Sequence, residues 1–219
     1  MEAETTIKMK NCYPKWNGMV TISTKKPAKK ERTSLWIPAS YTLRRKICLI
    51  VTWLYKQSWD IYSTWDEGEG RAYFVGAMLR QVIENEYFLP KLNSQELKKG
   101  WIRVSNQAPD FKIAILVSDE DKTKNYLIRR GYTEKKEKSA WRGKCVRDKK
   151  DHTSMTLLIR TARKEEILSS NEQLLTLVHE MVHAIDRIRA ARSSYPMRSA
   201  VLFFGQVLAD ILKRLNVKN

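Results

Sequence analysis

His179, Glu180 and His183 are residue types that together can carry out a metal-assisted hydrolysis. Four residues span slightly more than one helical turn, so on a helix both imidazoles project from one face. There they can close on a single divalent ion, each nitrogen at roughly 2.0–2.1 Å. Glu180 then points beside the ion. A carboxylate in that position can take a proton from a water that the ion has acidified toward a pKa of about 7, and later give it to a leaving amine. The pattern His-Glu-x-x-His on a helix is that of zinc hydrolases, most often of peptide bonds. The chain has three histidines, and two of them fall in this motif.

The flanking sequence supplies the helix that the motif needs. Ser169 stands three residues before Glu172 as a capping box, and Leu174, Leu175, Leu177, Val178, Met181, Val182 and Ile185 follow at helical spacing. This predicts a helix over about 170–192, with the histidines at the margin of its apolar arc. The break at Ser193-Ser194-Tyr195-Pro196 precedes a last amphipathic helix over about 197–215.

Upstream, Leu43, Ile47, Ile50, Val51, Leu54 and Tyr55 predict a helix within 40–65, and Phe74, Ala77, Met78, Val82 and Ile83 predict another over 73–88, ended by Pro90. The glycines and acids of Asp66–Gly70 read as a loop between them. Trp101–Ser105, Phe111–Val117, Trp141–Val146 and Met155–Ile159 are short and rich in β-branched or aromatic residues, and read as strands. The order is that of an α+β fold in which a small sheet packs on the His-bearing helix. An exposed edge of such a sheet can hold a substrate backbone extended beside the ion, although the sequence does not name the edge strand.

Forty-one Lys and Arg against twenty-four Asp and Glu leave a net charge of +17, which points to a polyanionic partner, nucleic acid first. Candidate phosphate contacts are Arg44, Arg45, Lys46, Arg129, Arg130, Lys135, Lys136, Lys149 and Lys150, with Trp or Tyr rings to stack on unpaired bases. Lys25, Lys26, Lys29 and Lys30 flank Pro27 in a polar stretch that should stay extended. They form a candidate nuclear-import signal or phosphate-binding arm within a solvated tail over 1–34. No apolar run reaches the roughly eighteen residues of a spanning helix, and no secretory leader is evident. The expectation is an intracellular protein, nuclear in a eukaryote. Cys12, Cys48 and Cys145 are widely spaced and read as free thiols.

These residues carry a family resemblance. Leu174-Leu175-Thr176-Leu177-Val178-His179-Glu180-Met181-Val182-His183-Ala184 resembles the active helix of the SprT-like metalloproteases, the family that includes Spartan. Asn85-Glu86-Tyr87-Phe88 with Leu92, and then Trp101–Ser105, resemble its opening helix and first strand. Trp141–Cys145 and Leu157–Ile159 sit where that family has the strands preceding its active helix. The resemblance covers about 72–215, and only the His-Glu-His segment is specific.

It implies a zincin-like domain over 71–219, preceded by a helical extension over 35–70. The implied activity is that of a zinc protease cleaving proteins attached to DNA, with His179 and His183 as ligands and Glu180 as general base. The chain departs from the family at the third ligand, because no histidine follows His183 and the family's ligand position falls near Ala200. Asp186 and Asp210 are the carboxylate substitutes, and His152 is a more remote one. Asp186 lies on the histidine face, but about 4.5 Å further along the helix axis from His183. Two functions stay open: a zinc endopeptidase acting on nucleic-acid-associated proteins, and a non-catalytic nucleic-acid-binding protein whose metal site has decayed.

Overall fold

Two nearly continuous apolar stretches, Lys112–Ser118 and Ser154–Arg160, lie side by side as parallel strands, the pairing expected of segments buried on both faces. The computed structural model describes residues 4–7, 20–23, 34–84, 100–103, 112–132, 141–151, 154–191 and 197–215. In chain order the described strands and helices are β1 (Glu4–Ile7), β2 (Val20–Ser23), β3 (Ser34–Trp36), α1 (Leu43–Ile61), α2 (Gly68–Glu84), β4 (Gly100–Arg103), β5 (Lys112–Ser118), α3 (Glu120–Arg129), β6 (Gly143–Arg147), β7 (Ser154–Arg160), β8 (Ala162–Arg163), β9 (Glu166–Ile167), α4 (Ser170–Ala191) and α5 (Met197–Leu215). A 3-10 turn, Trp65–Glu67, precedes α2. The fold is mixed α+β, and the chain divides into two units, one of residues 1–93 with 196–219 and one of residues 94–195.

In the second unit the sheet order is β4-β5-β7-β6, with β4 and β6 antiparallel to their neighbours. Alternation along the strands directs Leu116, Val146 and Leu158 to one face, where they pack around Leu127 of α3. The opposite face carries α4, which packs on β6 and β7. The four predicted strands and the helix of the motif are therefore present, and the sheet packs on that helix as expected.

The helix α3 is not among the elements that the sequence predicts. Only Thr123 and Leu127 of its ten residues are buried, so no apolar stripe marks it. Its signals lie at its ends. Asp119 caps the first turn by accepting from the Lys122 N–H at 2.8 Å. Gly131, at φ 71°, ends the helix in a Schellman turn, in which Gly131 N–H donates to Ile128 O and Tyr132 N–H to Leu127 O.

In the first unit α1 packs against α2 and α5. It buries Ile47, Ile50, Val51, Leu54 and Tyr55, the positions its periodicity selects. Gly205 of α5 lets that helix approach closely, since a Cβ there would lie 3.0 Å from the Cys48 Cα. The loop expected over Asp66–Gly70 is corrected: it is the 3-10 turn followed by the first turn of α2. Gly70 serves packing, because a Cβ would meet the Tyr62 ring at 2.9 Å. Beside it Arg71 is fully buried, donating to Tyr62 O and Thr64 O and stacking on Trp59 at 4.0 Å. Within residues 1–34, Glu4–Ile7 and Val20–Ser23 are antiparallel strands, and Val20–Ser23 pairs in parallel with Ser34–Trp36. Lys25, Lys26, Lys29 and Lys30 lie outside the described residues, as does the expected helix beyond Glu84.

Candidate functional site

The helix that bears the motif is fixed at its start by the capping box that the sequence announces. Ser169 N–H donates to Glu172 Oε2 at 2.9 Å, and Glu172 N–H donates back to Ser169 Oγ at 3.3 Å, a cap worth about 1 kcal/mol. Gln173 adds a bond from Nε2 to Leu168 O at 2.7 Å, tying the first turn of α4 to the residue after β9.

Two turns on, His179 and His183 bring their Nε2 atoms to 3.1 Å of each other, with ring centroids 4.8 Å apart and planes at 75°. Two ligands at roughly 2.0–2.1 Å on a tetrahedral ion are separated by roughly 3.3 Å, so the pair matches the spacing that one zinc imposes. In the absence of metal the same contact serves as an N–H···N hydrogen bond between complementary tautomers.

Glu180 is buried and leans on β6. A Cβ on Gly143 would lie 3.0 Å from Glu180 Cγ, 3.1 Å from its Oε1 and 2.5 Å from Thr176 Cγ2. Further along, Arg187 Nη1 donates to Cys145 O at 2.5 Å. Thr176, Glu180 and Arg187 thus form one helical stripe that follows β6, and helical spacing sets His183 on the same stripe.

Among the described residues β6 is a terminal strand of its sheet. Arg160 N–H donates to Arg142 O and Asp148 N–H to Ser154 O, so the backbone groups of Gly143, Cys145 and Arg147 face away from β7. Arg187 caps Cys145 O, and the Tyr132 hydroxyl caps Arg147 O. No described side chain caps Gly143, so the part of the edge left open is the part beside Glu180.

Burial pushes the Cys145 thiol up to about 12; Arg187 opposes the shift and the charge of Glu180 adds to it. Cys48 and Cys145 are both free, as read from sequence. Asp186 is buried on α4, yet within this unit no described third donor comes within 4.8 Å of both ring nitrogens, consistent with the axial rise that separates Asp186 from His183. Asp210 lies in the first unit, exposed on α5 beside Cys48, whose thiol is raised by burial, lowered by Arg44 and raised again by Asp210. His152 is outside the described residues.

The cations read as phosphate contacts fall into separate groups. Arg44, Arg45 and Lys46 occupy the first turn of α1, which contains no acidic residue, and Arg45 stacks on Tyr41 at 3.8 Å. Lys135 and Lys136 are outside the described residues. Arg129, Arg130, Lys149 and Lys150 converge with Tyr126 and Tyr132 on one cavity of about 290 Å³, between the end of α3 and the β6–β7 turn. The pairs Arg129–Arg130 and Lys149–Lys150 are far apart in sequence and no apolar periodicity announces α3, so only the fold brings them together.

Neither protein-family models, curated proteins nor solved structures give a match to this chain.

Proposed function

We propose that this protein is a zinc-dependent endopeptidase, SprT-like in its active helix and zincin-like in its sheet, that cleaves nucleic-acid-associated proteins. The observation that carries the reading is the His179–His183 pair, its Nε2 atoms 3.1 Å apart, one residue from a buried glutamate that faces an edge strand. His179 and His183 would hold the ion, and a further donor from outside the pair would complete its ligands. When bound, the ion supplies Lewis-acid activation of water and of the scissile carbonyl.

The chain's own residues do the rest. The open backbone groups at Gly143 pair with an extended substrate, which orients a peptide bond alongside α4 without reading its side chains. Gly143 has no side chain to fill the space between that substrate and Glu180. The Glu180 carboxylate takes the proton of the attacking water and delivers it to the departing amine. Its packing against Thr176 and Gly143 restricts its rotamers, so the carboxylate stays aimed. The charge of +17 supports nucleic acid as the surface on which substrates are met.

The test is cleavage of a basic, DNA-bound protein by the full chain. Wild type cleaves it with stimulation by DNA, and Glu180→Gln, which keeps the side chain's shape, loses at least about 100-fold in rate while retaining its metal. Cleavage undiminished in Glu180→Gln contradicts the reading.

A further inference from the structure

The basic cavity lies on the α3 face of the sheet, opposite the face that carries α4. Its cations are of two kinds. Arg130 and Lys149 are held in place: Arg130 pairs with Asp148 and lies over the Tyr126 ring at 5.5 Å, while Lys149 donates to Gly131 O at 2.7 Å and lies over the Tyr132 ring at 5.0 Å. Asp148 is itself fixed, accepting from the Lys150 and Asp151 N–H groups at 2.8 and 3.2 Å; these bonds, more than Arg130, hold its carboxyl below the ordinary value.

Arg129 and Lys150 are different. Both are exposed, and neither side chain has a partner among the described residues. The cavity thus presents two uncommitted cations on a frame made rigid by two others, with one carboxylate against these four cationic side chains.

We propose that this cavity receives a phosphate of a single-stranded nucleic acid, with one nucleotide seated between the end of α3 and the β6–β7 turn. Three features favour that occupant. Guanidinium and ammonium groups together match a phosphodiester's several acceptor oxygens. The volume of about 290 Å³ is several times that of a phosphate group and close to the lower range for small-molecule pockets, as a nucleotide requires. The site is concave, which suits a flexible strand that can turn one residue inward, whereas a duplex presents its phosphates on a convex surface. The inference rests on the nucleic-acid half of the proposed function and is independent of the metal.

The experiment is salt-dependent binding of a labelled short oligothymidylate to the full chain, with metal content measured on the same samples. Three proteins are compared: wild type, Arg129→Ala/Lys150→Ala, and Lys56→Gln/Lys164→Asn, which removes the same charge at residues that do not line the cavity. The expected result is a loss of about tenfold or more in the cavity variant, with its log–log salt slope reduced by about 1.4, two contacts at about 0.7 each. The second variant is expected to change less than about threefold, and metal content should be the same in all three.

Competition by thymidine 5′-monophosphate well beyond that by inorganic phosphate supports the nucleotide seat, and equal competition overturns it. Equal losses in the two variants assign binding to diffuse charge and overturn the site. Equal displacement by oligoglutamate does the same. If wild type binds no oligonucleotide, this inference and the nucleic-acid half of the functional reading both fail, and the metal half is judged separately from the zinc content.

Discussion

Gly143 and Glu180 are in close contact across the β6–α4 interface, and the glycine is what permits it: a Cβ would lie 3.1 Å from Oε1 and 2.5 Å from the Thr176 methyl carbon. Gly143→Ala therefore displaces Thr176, Glu180 or the strand itself. The expected effect is about 1–3 kcal/mol of lost stability, the usual range for overpacking. A larger proportional loss is expected in kcat than in stability, because Glu180 is shifted from its aim. Metal content should be unaltered. Steady-state kinetics alongside urea unfolding checks this, and full kcat in a stably folded Gly143→Ala separates Glu180 from the chemistry.

The contact next along the strand makes a prediction about pH. Burial raises the Cys145 thiol from an ordinary value of 9.0 to about 12, so the folded chain keeps a proton that the unfolded chain releases. Stability from this source is complete below the unfolded value and drains away as pH rises from about 9 toward about 12. Urea midpoints should fall through that window more steeply in wild type than in Cys145→Ala. Identical slopes would show that the thiol titrates elsewhere.

Legibility in the sequence followed the strength of the local signal. The helix α4 was readable because Ser169 and Glu172 cap it and its apolar residues recur at helical spacing; both features are present in the structure. The strands β5 and β7 were readable from β-branched runs, since a central strand buried on both faces needs apolar residues on both. The helix α3 was not, because its stability comes from its two ends and from Leu127, with most of its surface polar. Gly68 and Gly70 misled in the opposite direction. Glycine signals a turn when its φ is needed, yet Gly70 lies within a helix to make room for Tyr62. At the site, the His179–His183 pairing follows from helix geometry alone. The nearness of Glu180 to Gly143 and the basic cavity depend on tertiary packing between residues far apart in sequence, and no periodicity encodes that.

Arg160 ties the same sheet to α3. It is 1% exposed and contacts Glu120 Oε1 at 3.2 Å, Thr123 Oγ1 and Trp141 O at 3.3 Å each, and the Trp141 ring at 3.4 Å. Arg160→Ala leaves a cavity and unsatisfied acceptors, with an expected cost of about 2–4 kcal/mol. Glu120 is half exposed and retains water as a partner, so Glu120→Gln should cost less than about 1 kcal/mol. Denaturant unfolding of both variants checks the ordering, and a larger cost for Glu120→Gln would reverse the assignment.

The central claim is that His179 and His183 share one divalent ion. Metal analysis of the purified full chain tests it most directly. The account predicts about one zinc per chain in wild type and in Glu180→Gln, and loss of that zinc in His179→Ala and in His183→Ala, with each variant folded by circular dichroism. Wild type holding no more zinc than His179→Ala would contradict it.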